Sequence, residues 1–224
     1  MFWKMPKIWD GGECWIIGGG PSIVEQFNIP DNVVEAVKSG EAPLSEYSPY
    51  LKALHGKHVI GINMAFEIGN WVDICFFGDQ SFYGRFKGGL MRFPNLKINC
   101  SLDVSKPFPN VKRMRRLATS QTYGIATKPD SLRWNSNSGG SAINLAYHTG
   151  VKRVYLLGYD MVKNGHGTHW HNSYGKKTRT PYTTHLKCFQ HIARDAEKLG
   201  LEIINVNPQS AIKQFPKKAL SEIL

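Results

Sequence analysis

The stretch Cys14-Trp15-Ile16-Ile17, followed by Gly18-Gly19-Gly20-Pro21-Ser22-Ile23, constrains this chain more than any other. Four apolar residues in a row predict a strand buried on both faces, and the glycines, proline and serine predict a tight turn into a helix. Pro21 or Ser22 then stands at or near the helix start, where proline already has the right φ and serine caps well. Glycines let an anionic group approach the backbone closely, and the amides of a helix start favour negative charge. A nucleotide phosphate is the expected guest. The competing reading is a strand-to-helix turn that holds nothing, because a lone glycine-rich turn is a weak signal.

The same pattern recurs along the chain. Short apolar runs at His58-Val59-Ile60-Gly61-Ile62-Asn63, Asp73-Ile74-Cys75-Phe76-Phe77, Leu96-Lys97-Ile98-Asn99-Cys100, Arg153-Val154-Tyr155-Leu156-Leu157 and Leu201-Glu202-Ile203-Ile204-Asn205-Val206 predict strands. Between them, residues 24 to 55 predict one or two helices with an irregular connection. Helices are also expected from Ser138 toward Gly150, and from about Thr184 to Leu199 before Gly200. Apolar strands alternating with helices imply a mostly parallel sheet with helices on both faces, in a single α/β domain spanning 1–224. Residues 101–137, rich in Pro, Lys, Arg, Ser and Thr, predict a loop-rich insertion with one short helix or strand; residues 161–183 predict a polar, His-rich lid loop.

In an open parallel sheet, ligands bind outside the carboxyl ends of the strands. Each strand here ends in small or polar residues, which makes Gly18, Gly19, Gly20, Pro21, Ser22, Asn63, Gly78, Asp79, Gly158, Asp160 and Ser210 candidate nucleotide-binding residues. Ser138-Gly139-Gly140, opening a helix, offers a second anion site. The competing reading is that turns simply require such residues. Asp79 and Asp160 are candidates for a metal or for ribose hydroxyls, against the commoner role of a lone Asp as a turn or cap residue. The loop from Asn164 to His171 holds His166, His169 and His171, a density that suits a transition metal, but no cysteine or carboxylate lies nearby in sequence to complete a site. No metal site is assigned, and a single catalytic His in this loop is an equal reading. His185, three residues after Tyr182 at a helix start, is placed to act as a neutral general base. His148 and His191 read as packing or surface residues.

No apolar run approaches the roughly 20 residues that span a bilayer, and the N-terminus lacks a signal-peptide core, so a cytoplasmic location is expected. Cys14, Cys75, Cys100 and Cys188 are far apart and read as reduced core residues. The net charge of +11 suits a polyanionic partner or an anionic substrate. Its basic residues concentrate at Lys112, Arg113, Arg115 and Arg116, at Lys128 and Arg133, at Lys176, Lys177 and Arg179, and at Lys217 and Lys218. With Tyr123, Trp134 and Trp170 available for stacking, they support a nucleic-acid-binding reading, beside the plainer one of a solvated basic surface.

Gly18-Gly19-Gly20-Pro21-Ser22, Asn63, the Ser138-Gly139 helix start and the strand running into Gly158-Tyr159-Asp160 resemble the bacterial sialyltransferases of the Campylobacter type. They also resemble a related domain found in archaeal hydroxymethylpterin diphosphokinases and many phage-encoded proteins. The segment from Asn207 to Phe215, with Ser210, is similar to a Pro-Asn-Ser segment of the sialyltransferases, and the likeness covers Cys14 to Phe215. It implies a Rossmann-like, glycosyltransferase A-like domain holding a CMP-linked sugar donor across the strand ends, with no required cofactor. Transfer would run with inversion to a hydroxyl acceptor such as a glycan. Tyr182-Thr183-Thr184-His185 matches the family's Tyr-x-x-His, which makes His185 the base. The family's arginine before the Ser-Gly pair is replaced here by Asn135, with Arg133 close by. Its two phosphate-assisting tyrosines are absent after Asp160, where Val162 and Thr168 stand, so His166, His169 or a lysine is the expected substitute. The alternative is a phosphoryl or diphosphoryl transferase with Mg²⁺ on Asp79 and Asp160. A transferase acting on a nucleic acid would use both the basic surface and the strand-end site. A phage origin would place the protein in host cytoplasm, and assembly into a homo-oligomer is left open.

Overall fold

The computed structural model describes residues 1–102, 108–119, 122–162, 167–175 and 181–224. Seven parallel strands form one sheet: β1 (Glu13–Ile17), β2 (Val59–Ile62), β3 (Ile74–Phe77), β4 (Leu96–Asn99), β5 (Lys112–Arg113), β8 (Arg153–Leu157) and β9 (Glu202–Asn205), in the order β5-β4-β3-β2-β1-β8-β9. Two short strands, β6 (Arg115–Leu117) and β7 (Ser131–Arg133), pair in parallel beside it. The helices are α1 (Ser22–Gln26), α2 (Asp31–Ser39), α3 (Gln80–Arg92), α4 (Ser138–His148) and α5 (Tyr182–Leu199).

Strands of this composition must bury both faces, and they do. Cys14, Ile16, Ile60, Ile74 and Phe76 face a core shared with α4 and α5, while the alternating Trp15, Ile17, Val59, Cys75 and Phe77 face a second core with α1, α2 and α3. The mostly parallel, doubly covered α/β sheet expected from the pattern is the observed architecture. All four cysteines are buried free thiols. No helix among the described residues is long and apolar enough to cross a membrane.

Topology places the site. From β1 the chain steps outward through β2, β3, β4 and β5, then returns to lay β8 against the opposite edge of β1. The strand order therefore reverses between β1 and β8, and a crevice opens outside their carboxyl ends. Gly18–Gly20 and Gly158–Asp160 meet there.

Residues 24 to 55 hold the expected pair of helices and irregular connection: the one-turn α1, α2, and 3₁₀ turns at Leu44–Tyr47 and Lys52–Leu54. One expectation needs correction, and one element is new. The insertion at 101–137 contributes β5, β6 and β7 rather than a single element. The helix α3 was unforeseen, because Gly84, Gly88 and Gly89 weaken its helical signal and Phe86 kinks it at φ −114°, ψ 19°.

Candidate functional site

A cleft of about 580 Å³ opens at the β1/β8 switch point. Of the candidate residues, Gly18, Gly19, Gly20, Asn63, Asp79, Ser138, Gly139, Gly158, His169, Tyr182 and His185 all line it. Pro21, Ser22, Gly78, Gly140, Asp160 and Ser210 do not.

The reason lies in how the strand-end loops are tied together. The Asp160 carboxylate, 2% exposed, accepts from Ser22 N at 2.8 Å, Ser22 Oγ at 2.5 Å and Asn207 Nδ2 at 2.8 Å, and the Asp160 carbonyl accepts from Ala211 N at 2.8 Å. The α1 start is thus held by a protein carboxylate, and Ser22 is not a phosphate ligand. A Cβ at Gly20 would stand 2.7 Å from Asp160 Oδ2, so glycine is required there for the carboxylate's approach rather than for a ligand's. Ser210 Oγ donates to the Tyr159 carbonyl at 2.6 Å, which fixes the loop after β9. Gly78 packs under the Trp134 ring, and its carbonyl accepts from Arg116. These donors commit Asp160 to the protein, which weakens it as a partner for Asp79 in holding Mg²⁺. Asp79 stays 61% exposed and lies 3.9 Å from Arg116. Among the described residues no group of three or more His, Cys, Asp or Glu could hold a metal ion; His166 lies outside them.

The other wall of the glycine turn is aromatic. Trp170, fully buried, donates from Nε1 to the Gly18 carbonyl at 2.8 Å, and its amide donates to the Gly19 carbonyl at 3.1 Å. Its edge meets the Tyr47 ring at 5.7 Å. Trp170 is therefore a core anchor, not a stacking platform for bases. This anchoring sets His169 over the turn, where a Cβ on Gly19 would lie 2.7 Å from its ring. His169, His171 and Tyr174 pack ring to ring at 4.8–5.4 Å. The Tyr174 hydroxyl is hydrogen-bonded to the Asn63 side chain and the Met64 backbone. Asn63 itself sits at φ 52°, a left-handed conformation that asparagine tolerates.

On the far side, Asn137 caps α4 by accepting from Gly140 N at 2.8 Å. Among the described residues the Ser138 and Gly139 amides have no protein acceptor, so two donors and the helix dipole face the cleft. Asn137 Nδ2 also reaches the His185 carbonyl at 3.4 Å, linking α4 to the first turn of α5. Replacing Asn137 with alanine is expected to cost about 1–2 kcal/mol and lower Tm by about 3–6 °C in thermal unfolding. His185 is half-buried, and that burial pulls its pKa below the ordinary 6.5. Its ring is therefore neutral at neutral pH.

Among the cleft residues that escaped the sequence reading are Arg85 and Phe86 of α3, and Tyr174. Arg85, exposed, brings a guanidinium to the cleft. Apolar residues at 82, 83, 86 and 90 were the available signal for α3. The basic run is also partly structural. Arg116, its side chain 9% exposed, donates to the Cys100 and Gly78 carbonyls and lies 3.6 Å from the Trp134 ring centroid. Arg113 donates to the Ser101 carbonyl. Lys176, Lys177 and Arg179 lie outside the described residues.

No protein-family model matches the chain, and no curated protein matches it. Two solved structures are similar. One is the sialyltransferase CST-II with an asparagine replaced by alanine, in complex with CMP, at TM-score 0.51 and 13% identity, covering 92% of this chain and 86% of that one. The other is CST-II with a tyrosine replaced by phenylalanine, also in complex with CMP, at TM-score 0.47 and 12% identity, covering 93% and 86%. The first likeness establishes a shared fold.

Proposed function

We propose that the protein is a glycosyltransferase that uses a nucleotide-linked sugar, CMP-linked by preference, and transfers the sugar with inversion to an acceptor hydroxyl. The observation that carries this reading is the convergence at one switch-point cleft of the α4 amides of Ser138 and Gly139, the Asn63–Tyr174 pair and the neutral imidazole of His185. The fold shared with a CMP-bound sialyltransferase supports it.

In the proposed reaction His185 accepts the acceptor hydroxyl's proton as that oxygen bonds to the anomeric carbon. The bond from that carbon to the phosphate oxygen breaks, and its electron pair leaves with CMP. The amides at the α4 start and the Arg85 guanidinium stabilise the departing phosphate, while Asn63 contacts the nucleotide. His169, over the glycine turn, would take the part of the phosphate-assisting tyrosines that the resemblance leads one to expect. Mg²⁺ chemistry through Asp79 and Asp160 is the weaker reading, since the Asp160 oxygens are already taken.

A thermal-shift panel of CMP, CDP, UDP, GDP, ATP and CMP-sialic acid, each with Mg²⁺ or with a chelator, tests this. A cytidine nucleotide at about 100 times its Kd is expected to stabilise the fold by about 2.7 kcal/mol with the chelator present. Stabilisation by ATP alone, and only with Mg²⁺, would overturn the proposal.

A further inference from the structure

A second cavity, of about 690 Å³, lies away from the switch point, between β6, β7 and the C-terminal half of α5. Ten residues at 1.5 Å rise separate His185 from Asp195, which puts this cavity about 15 Å along α5 from the base. Hydrogen bonds from behind hold the backbone of its wall. Asn144, fully buried, accepts from Ala126 N at 2.8 Å and Arg133 N at 3.0 Å, and donates to the Ala126 carbonyl at 3.0 Å. Asp195 Oδ2 accepts from Ile125 N at 3.0 Å. The floor is apolar, from Leu117, Ile125, Ala126 and Leu199.

Four cations, Arg115, Lys128, Arg133 and Lys198, line this floor against two carboxylates. Both carboxylates are engaged locally: Asp195 Oδ1 accepts from Arg194 at 2.9 Å, and Asp130 Oδ1 accepts from Ser131 Oγ at 2.7 Å. Among the described residues Arg115, Lys128 and Lys198 form no ion pair. A positive rim over an apolar floor, with the Thr127 hydroxyl between, recognises an anion carrying an apolar body.

We propose that this cavity is a second binding site, distinct from the strand-end cleft, for a phosphate ester of nucleotide size whose base or other apolar face packs on Leu117, Ile125 and Leu199 while Arg115, Lys128 and Lys198 hold the phosphate. The ester is either a free nucleotide or one unit of a single-stranded nucleic acid.

Amide NMR titration of the full chain tests the proposal, with AMP, inorganic phosphate and an octamer of deoxythymidylate as probes. AMP is expected to shift the Thr127, Lys128 and Ser131 amides. The variant Lys128→Glu/Lys198→Glu, changed at two exposed positions, is expected to weaken those shifts about tenfold or more while leaving any shifts at Ser138 and Gly139 intact. The Ser138 and Gly139 amides report on the strand-end reading, so the two proposals fail separately. Tighter binding of the octamer than of AMP identifies a nucleic-acid strand as the source, and the reverse identifies a free nucleotide. No shift at the three amides, or shifts unchanged in the double variant, overturns the site. Inorganic phosphate binding as tightly as AMP overturns the role of the apolar floor.

Discussion

Replacing Asp160 with alanine is expected to lower the unfolding free energy by about 3–4 kcal/mol. The substitution strands three donors at once, Ser22 N, Ser22 Oγ and Asn207 Nδ2, in a region that water does not reach. Those donors sit on the loops after β1 and β9, and Asp160 itself follows β8, so one carboxylate ties together the ends of three adjacent strands. For a chain of this size the loss corresponds to a fall in Tm of about 10 °C, readable by circular dichroism. Asp160→Asn keeps an acceptor oxygen but turns an NH₂ toward a donor, and should fall between wild type and alanine. A loss below about 1 kcal/mol for Asp160→Ala would mean that the turn is held by something else.

The second large effect is on chemistry. His185→Ala should reduce sugar transfer by about 10²- to 10⁴-fold while leaving CMP affinity nearly unchanged, because a general base contributes in the transition state and not in donor binding. Wild-type transfer should rise with pH through an apparent pKa below the ordinary histidine value of 6.5 and then level off, since burial favours the neutral ring. That limb should vanish in His185→Ala. The same burial gives stability a matching sign. A histidine whose pKa is lower folded than unfolded binds fewer protons in the native state, so its stability contribution is complete above pH 6.5 and is lost as pH falls from there toward the folded pKa. His148, whose pKa burial also lowers, adds to the same loss. An unchanged profile in His185→Ala would remove it from the mechanism.

Much of the sheet was legible because buried parallel strands have a loud signature. Arg153–Leu157 and Leu96–Asn99 were readable almost to the residue, and so was the α4 start at Ser138, marked by small residues and confirmed by the Asn137 cap. Local pattern does not carry long-range partnership. The glycine turn read as a phosphate cradle, yet Gly20 answers to Asp160, 140 positions away, and Gly18 and Gly19 answer to Trp170. Arg116 read as basic surface and is a nearly buried clamp beneath Trp134. Arg85 was invisible because three glycines and a kink masked the helix that presents it. Tyr174 lies in a polar loop, where nothing local marks its bond to Asn63. The cleft, by contrast, was foreseeable: strands ending in small and polar residues converge there because a parallel sheet aligns all its carboxyl ends.

In the proposed function the switch-point cleft holds a CMP-linked donor through Asn63 and its neighbours. The most direct test is isothermal titration of CMP, with a chelator present, into wild type and Asn63→Gly. Glycine keeps the left-handed backbone at φ 52° and removes only the side chain. Metal-independent binding is expected, weakening about tenfold or more in Asn63→Gly while Tm stays within a few degrees. No binding to wild type, or equal binding to both proteins, would contradict it.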